Sequence, residues 1–193
     1  MGNNNSNQNE WFEKAKELLR LDKFEEALQF FERASEIDPT DKEIWYEKGS
    51  CFESLEMYEE ALQCFNRALD IDPLFQEAWM RKASVFLDLH KLFNSLECYE
   101  KALEIDPLDS TSWFLKGVVL QFLERHENAI ECYDKALEID PSDADALSFK
   151  GYNLELLNHY DEAIECFESA LEIDPHHPYA EIRMRIISRK LEF

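Results

Sequence analysis

The sequence predicts an all-α chain built as a stack of repeated helix–turn–helix units. Three observations predict it. Prolines recur every 34 residues, at Pro39, Pro73, Pro107, Pro141 and Pro175. Each closes a near-identical phrase, from Glu36-Ile37-Asp38-Pro39 to Glu172-Ile173-Asp174-Pro175. Between the prolines, small and large apolar residues fall at helical spacing. Self-similarity at a fixed period of this size means supersecondary units that bury their apolar faces on one another.

If the residue 31 before each proline is position 1, the units run 8–41, 42–75, 76–109, 110–143 and 144–177 without insertions. Position 4 holds Trp11, Trp45, Trp79, Trp113 and Leu147. Position 8 holds Ala15, Gly49, Ala83, Gly117 and Gly151, and position 11 Leu18, Phe52, Phe86, Leu120 and Leu154. These three lie one turn apart on one face of a first helix. Positions 20, 24 and 27 do the same for a second: Ala27, Ala61, Ser95, Ala129, Ala163; then Phe31, Phe65, Tyr99, Tyr133, Phe167; then Ala in every copy. Small residues let the backbones approach, and large ones fill the space between. The Asp-Pro step ends the second helix, because a residue before proline is pushed out of the α region.

Composition narrows the function. The 193 residues include 42 acidic and 20 basic side chains, a formal charge of -22, yet 45% are apolar. That is enough for a core. The acidity disfavours nucleic acid, which needs clustered cations. No apolar run approaches the ~20 residues of a membrane span, and Met1 to Glu10 shows no signal-peptide core. The four glycines are far apart, so no glycine-rich phosphate loop is present.

The columns resemble the tetratricopeptide repeat, whose pattern is Trp, Leu-Gly, Tyr, Ala, Phe, Ala and Pro at these offsets; the match covers 170 of 193 residues. The resemblance implies a right-handed α-solenoid superhelix at 8–177, after a flexible polar tail at 1–7 and before a capping helix at 178–193. That last segment carries +2, against -7 for the fifth repeat. The cap is expected to dock beside that repeat; either Ile182 and Ile186 fold over Phe149 and Tyr152, or that strip stays open as an anchor site, and the cap can cover repeat five while leaving repeat four open. Position 7 departs from the pattern: it is Lys14, Lys48, Lys82, Lys116 and Lys150 instead of Leu. Each stem is expected to lie along its helix with the head near water or a carboxylate; a ligand-binding cationic ladder is the alternative.

In such repeats the first helices line a concave groove, and positions 2, 5, 6, 9, 12 and 13 point into it. Here repeat one offers Phe12, Lys16 and Arg20, repeat two Glu43, Tyr46, Glu47, Ser50 and Glu53, and repeat three Glu77, Met80, Arg81, Ser84 and Asp88. Repeat four changes to Phe114, Leu115, Val118 and Phe122, and repeat five continues with Ser148, Phe149, Tyr152 and Leu156. The groove is polar and acidic early, apolar late. Some relatives clamp carboxylate tails through Lys, Asn and Arg at set positions. Reading from repeat one, those positions hold Phe12, Lys16, Glu47, Glu77 and Arg81; only Arg81 fits, and later frames do no better. An acidic chaperone tail is therefore not the expected ligand.

Cys64, Cys98, Cys132 and Cys166 share position 23, and Cys51 stands at position 10. Neighbouring copies sit a helix-packing distance apart, roughly 8–10 Å, beyond the ~7 Å reach of a disulfide. Reduced thiols and a cytoplasmic setting are expected. His90, His126, His159, His176 and His177 read as surface residues, and no cofactor or metal set is expected. Met1-Gly2-Asn3-Asn4-Asn5-Ser6 fits the N-myristoylation pattern, although an Asn-rich leader suits it as well. The resulting expectation is a non-enzymatic scaffold or adaptor. Its groove, from Tyr46, Met80, Arg81, Phe114, Leu115, Val118, Phe122, Phe149 and Tyr152, takes a peptide or protein segment of basic or amphipathic character. The alternative is a self-associating platform using the late apolar strip or the C-terminal helix.

Overall fold

A computed structural model describes residues 2–191, with side chains from Asn7 to Lys190. Eleven helices run in order among them: α1 Gly2–Arg20, α2 Phe24–Ile37, α3 Lys42–Ser54, α4 Tyr58–Ile71, α5 Gln76–Asp88, α6 Leu92–Ile105, α7 Ser110–Phe122, α8 His126–Ile139, α9 Ala144–Leu156, α10 Tyr160–Ile173 and α11 Pro178–Leu191. α1 is helical from Gly2, within the stretch read as a tail at 1–7; the side chains on which the myristoylation reading rests lie outside those described. The chain forms two compact units, Met1–Lys101 and Ala102–Phe193, divided within α6.

Within each unit, consecutive helices pair and each pair packs on the next. The rings at position 24 are central: Phe31, Phe65, Tyr99, Tyr133 and Phe167 are all 0% exposed. Burying each contributes roughly 2–3 kcal/mol relative to leaving it in water. Glycine at position 8 makes room for them. A Cβ on Gly117 would stand 2.6 Å from Tyr133 Cε1, and one on Gly49 2.7 Å from Phe65 Cε1.

The Asp-Pro phrase has a double role. Asp38 Oδ1 accepts the Thr40 N–H at 2.9 Å, and Asp72, Asp106, Asp140 and Asp174 do the same two residues on. The proline carbonyl accepts the next tryptophan's indole N–H: Trp45 to Pro39 and Trp79 to Pro73 at 3.0 Å, Trp113 to Pro107 at 2.9 Å. Thus positions 4 and 32 recur together because one latches the turn made by the other. Asp41, Asp109 and Asp143, two residues after a proline, cap the next helix with their side chains. The turn inside each repeat ends its first helix on a left-handed residue: Asp22, Glu56, His90, Glu124 or Asn158, with φ between 53° and 64°. Met57 N–H reaches back to the Phe52 carbonyl at 2.8 Å and Glu56 N–H to Glu53 at 2.9 Å, a Schellman ending without glycine.

The position-7 lysines follow the expected packing. Lys48, Lys82 and Lys116 lie over the tryptophan three residues earlier, at 5.2, 4.9 and 5.5 Å from the ring centroid. Lys48 also pairs with Glu32, and Lys150 with Asp134 at 2.6 Å. The two terminal helices are polar where internal ones are apolar. Positions 3 and 10, buried as Ile44 and Cys51 in α3, are exposed Glu10 and Glu17 in α1. α11 continues the register, burying Ala180 and Ile187 at those positions, while Glu181, Arg185 and Ser188 stay exposed on its outer side.

Candidate functional site

In unit one, the face presented by α3 and α5 is charged. Tyr46 is half-buried, its ring 5.1 Å from Phe75 and 6.1 Å from Phe65. Arg81 Nη1 lies 3.3 Å from Glu53 Oε2. Burial raises the Glu53 carboxyl above its ordinary value; Arg81 opposes this and Asp88 adds to it. Burial likewise raises Glu47. Met80 is half-buried, with Gln76 Nε2 3.9 Å from its sulfur.

Unit two has an aromatic row on the equivalent face of α7 and α9. Phe114 meets Phe149 edge-on at 5.3 Å and Tyr133 at 5.8 Å. Phe149 stacks on Tyr179 of α11 at 5.9 Å, and Tyr152 meets Tyr179 edge-on at 5.8 Å. Arg183 lies over the Tyr152 ring at 4.8 Å. Its Nε is 2.8 Å from Glu155 Oε2, and Lys190 adds a contact at 3.2 Å, so Glu155 is only 4% exposed. The expected cover over Phe149 and Tyr152 therefore comes from Tyr179 and Arg183. Ile182, proposed for that role, is 54% exposed, because the cap continues the repeat register and places positions 2 and 6 on this face.

The rest of the row is uncovered by α11. Leu115 and Val118 are half-buried, while Phe122 is 58% and Leu156 42% exposed. Beside them opens a cavity of about 370 Å³ lined by Gln121, Phe122, Glu124, His126, Tyr152 and Leu156. Beneath it runs a polar network. Asn153, fully buried, points its amide nitrogen at Gln121 Oε1 at 2.6 Å and at the Phe149 carbonyl at 2.8 Å. Both are acceptors, so that end is the NH2 group and Oδ1 faces His126 Nδ1 at 2.9 Å. His126 Nδ1 must then carry the proton, which leaves Nε2 of the neutral ring as an acceptor.

His177 corrects the surface reading of the histidines. It is 7% exposed, and its Nδ1 accepts the Ala180 N–H at 3.3 Å, capping α11 as the aspartates cap earlier helices. Nε2 lies 3.1 Å from Asp145 Oδ1, with Ser148 Oγ 3.4 Å away. Hydroxyl, imidazole and carboxylate meet here. With Nδ1 accepting from Ala180, Nε2 holds the proton that faces Asp145, and Ser148 Oγ lies 3.5 Å from Nδ1 as well. The five cysteines are buried thiols. Burial pushes Cys51 up to about 12 and Cys64 and Cys98 to about 11, away from the thiolate needed for reactivity. Among the described residues no cluster of three or more metal-ligating side chains occurs, and no helix is long and apolar enough to cross a membrane.

Successive helix pairs with small-residue columns, a Trp–Pro latch and an uncovered first-helix face define a helical repeat protein. Sequence profiles described as Tetratricopeptide repeat match residues 9–51, 43–75, 76–107 and 108–176, and the chain belongs to that family. No curated protein matches it significantly in sequence. Among solved structures it resembles a MamA crystal structure, with 20% identity and a TM-score of 0.79 over 83% of this chain and 94% of that one. A MamA fragment, 41-end, from Desulfovibrio magneticus RS-1 gives 23% and 0.82 over 89% and 97%. YrrB, a TPR protein with an unusual peptide-binding site, gives 24% and 0.78 over 91% and 90%. At these identities the likeness is one of fold.

Proposed function

We propose that the chain is a non-enzymatic scaffold that captures an apolar or amphipathic, net-basic segment of another protein on the first-helix face of unit two. The tetratricopeptide fold supports the general role of a protein-interaction scaffold. One observation carries the finer reading: position 13, polar as Arg20, Ser54 and Asp88, becomes exposed Phe122 and Leu156 in consecutive repeats. Exposed aromatic and aliphatic side chains beside half-buried Leu115 and Val118 supply desolvation energy to a partner. The net charge of -22 favours a cationic one. Phe114, Phe149 and Tyr152 support this face from below, the last two already sharing Tyr179. Tyr46, Met80 and Arg81 belong to the charged face of unit one and take no part in this reading. Self-association through α11 draws less support, since its outer side carries Glu181, Arg185 and Ser188.

The test uses peptides selected from a random displayed library and synthesised for methyl NMR. Ligands of this face shift the Leu115 and Val118 methyls, and Leu156→Ala weakens them about tenfold, the loss of one buried aliphatic contact. Ligands that leave those methyls unmoved place the site elsewhere. Light scattering over a concentration series then shows whether a second copy competes for the face.

A further inference from the structure

We infer that the cavity between Phe122 and Tyr152 is a receptor for an arginine side chain of the partner, an assignment that rests on the proposed peptide-binding face. Its lining holds no cation. It holds one carboxylate, Glu124, two aromatic rings, Phe122 and Tyr152, and the half-buried His126 ring. The network below fixes the His126 tautomer: Asn153 Oδ1 takes the Nδ1 proton, so the remaining ring nitrogen accepts. The Gln121 oxygen is engaged by Asn153 at 2.6 Å, which leaves its NH2 group for a peptide carbonyl. Leu156 supplies an apolar wall for a methylene stem. A guanidinium matches this set better than an ammonium, because it is planar, stacks on rings and carries donors along its edge.

The chain contains a precedent for the same recognition. Tyr152 already lies under one guanidinium, Arg183, at 4.8 Å, and that guanidinium is held by a carboxylate one helical turn on, Glu155. In the cavity Tyr152 and Phe122 supply the rings and Glu124 the carboxylate. The volume of about 370 Å³ admits a side chain and not a folded element. The cavity therefore sets specificity for one residue of the bound segment, with the exposed apolar side chains beside it contributing the remaining contact.

The experiment selects displayed random dodecapeptides against the whole chain and, in parallel, against Glu124→Lys. Both Glu124 and Phe122 are exposed, so the Glu124→Lys and Phe122→Ala variants leave the buried contacts of the fold intact. The expected result is an arginine at one position of the peptides selected on the parent chain, and loss of that preference on Glu124→Lys. A synthetic peptide from the first selection should bind Glu124→Lys and Phe122→Ala about tenfold more weakly, with the Val118 methyl still shifted at saturation. Replacing its arginine by norleucine should cost a similar factor on the parent and little on Glu124→Lys. Peptides that shift Val118 but show no cationic preference, or bind both variants unchanged, overturn the arginine assignment and leave the peptide-binding face standing. Failure to obtain any peptide that shifts Leu115 or Val118 removes that face and the assignment with it.

Discussion

Glu53–Arg81 in unit one and Glu155–Arg183 in unit two are the same interaction at the same register. In each, a carboxylate at position 12 meets a guanidinium at position 6 of the following first helix. Their surroundings differ. Arg81 is 48% exposed and Glu53 14%, and they make one contact at 3.3 Å. Glu155 has a 3% exposed side chain and holds both Arg183 and Lys190. The repeat dictates where two side chains meet. Burial and the number of partners decide whether the meeting becomes structural or stays a surface contact.

The largest test of this contrast is removal of the two carboxylates. Glu155→Ala removes the buried partner of Arg183, itself 21% exposed, and of the exposed Lys190, and should cost about 2 kcal/mol in urea unfolding, with faster amide exchange in α11. Glu53→Ala should cost under ~1 kcal/mol, as for a solvent-screened pair. Equal losses would break the comparison. Of similar size is the position-8 column. Gly117→Ala drives a methyl into the buried Tyr133 ring and should cost about 2 kcal/mol in the same assay. Ala83→Gly, in unit one, loses helix propensity and one buried methyl without any clash and should cost about 1.5 kcal/mol.

The third test uses pH. Glu47 and Glu53 have folded carboxyls raised by burial, so the folded state binds protons that the unfolded state has released. Stability should fall as pH rises through the window just above the ordinary value of about 4.3, and Glu47→Gln with Glu53→Gln should flatten that slope. Asp72 has the opposite sign. Its hydrogen bond from Lys42 at 2.6 Å lowers its pKa, so its contribution is present above about 3.9 and lost as pH falls further. Amide exchange in unit one across pH 3 to 7, set by ~1-unit steps, reads both. The smallest effect concerns the left-handed turn residues. Glu56→Gly should stabilise by about 0.5 kcal/mol, and Asn158→Gly by less, since asparagine tolerates that conformation. A larger gain at Asn158 would show that its φ of 64° is strained rather than tolerated.

Much of this architecture is legible in the sequence because each recurring residue answers a recurring demand of the backbone. Pro39 and Trp45 recur as a pair since one supplies the carbonyl that the other needs. Gly117 is small because Tyr133 fills its place. The cap was harder to read. Amphipathic spacing alone pointed to Ile182 and Ile186, whereas continuing the count past Pro175 puts Tyr179 at position 2 and Arg183 at position 6. The same count places His177 where Asp41 and Asp143 cap their helices, and so marks it as an N-cap. Asn153 carried a signal as well: it is the one amide in a column otherwise held by Glu17, Cys51, Val85 and Val119. Its partner His126 is 27 residues away, a pairing that only the packing of α8 on α9 creates.

The polar ends of the array bear on how such a chain can change in length. Glu10 and Glu17 occupy the places held by Ile44 and Cys51 in the second repeat, and Glu181 and Arg185 replace the tryptophan and small residue of a full unit. A duplicated segment inserted between internal repeats would meet, on both sides, neighbours of the kind it already packs against. A copy added ahead of α1 would instead press two carboxylates into a dry interface. Duplication between internal repeats therefore preserves the apolar contacts, whereas a copy packed on the polar outer face of α1 or α11 does not.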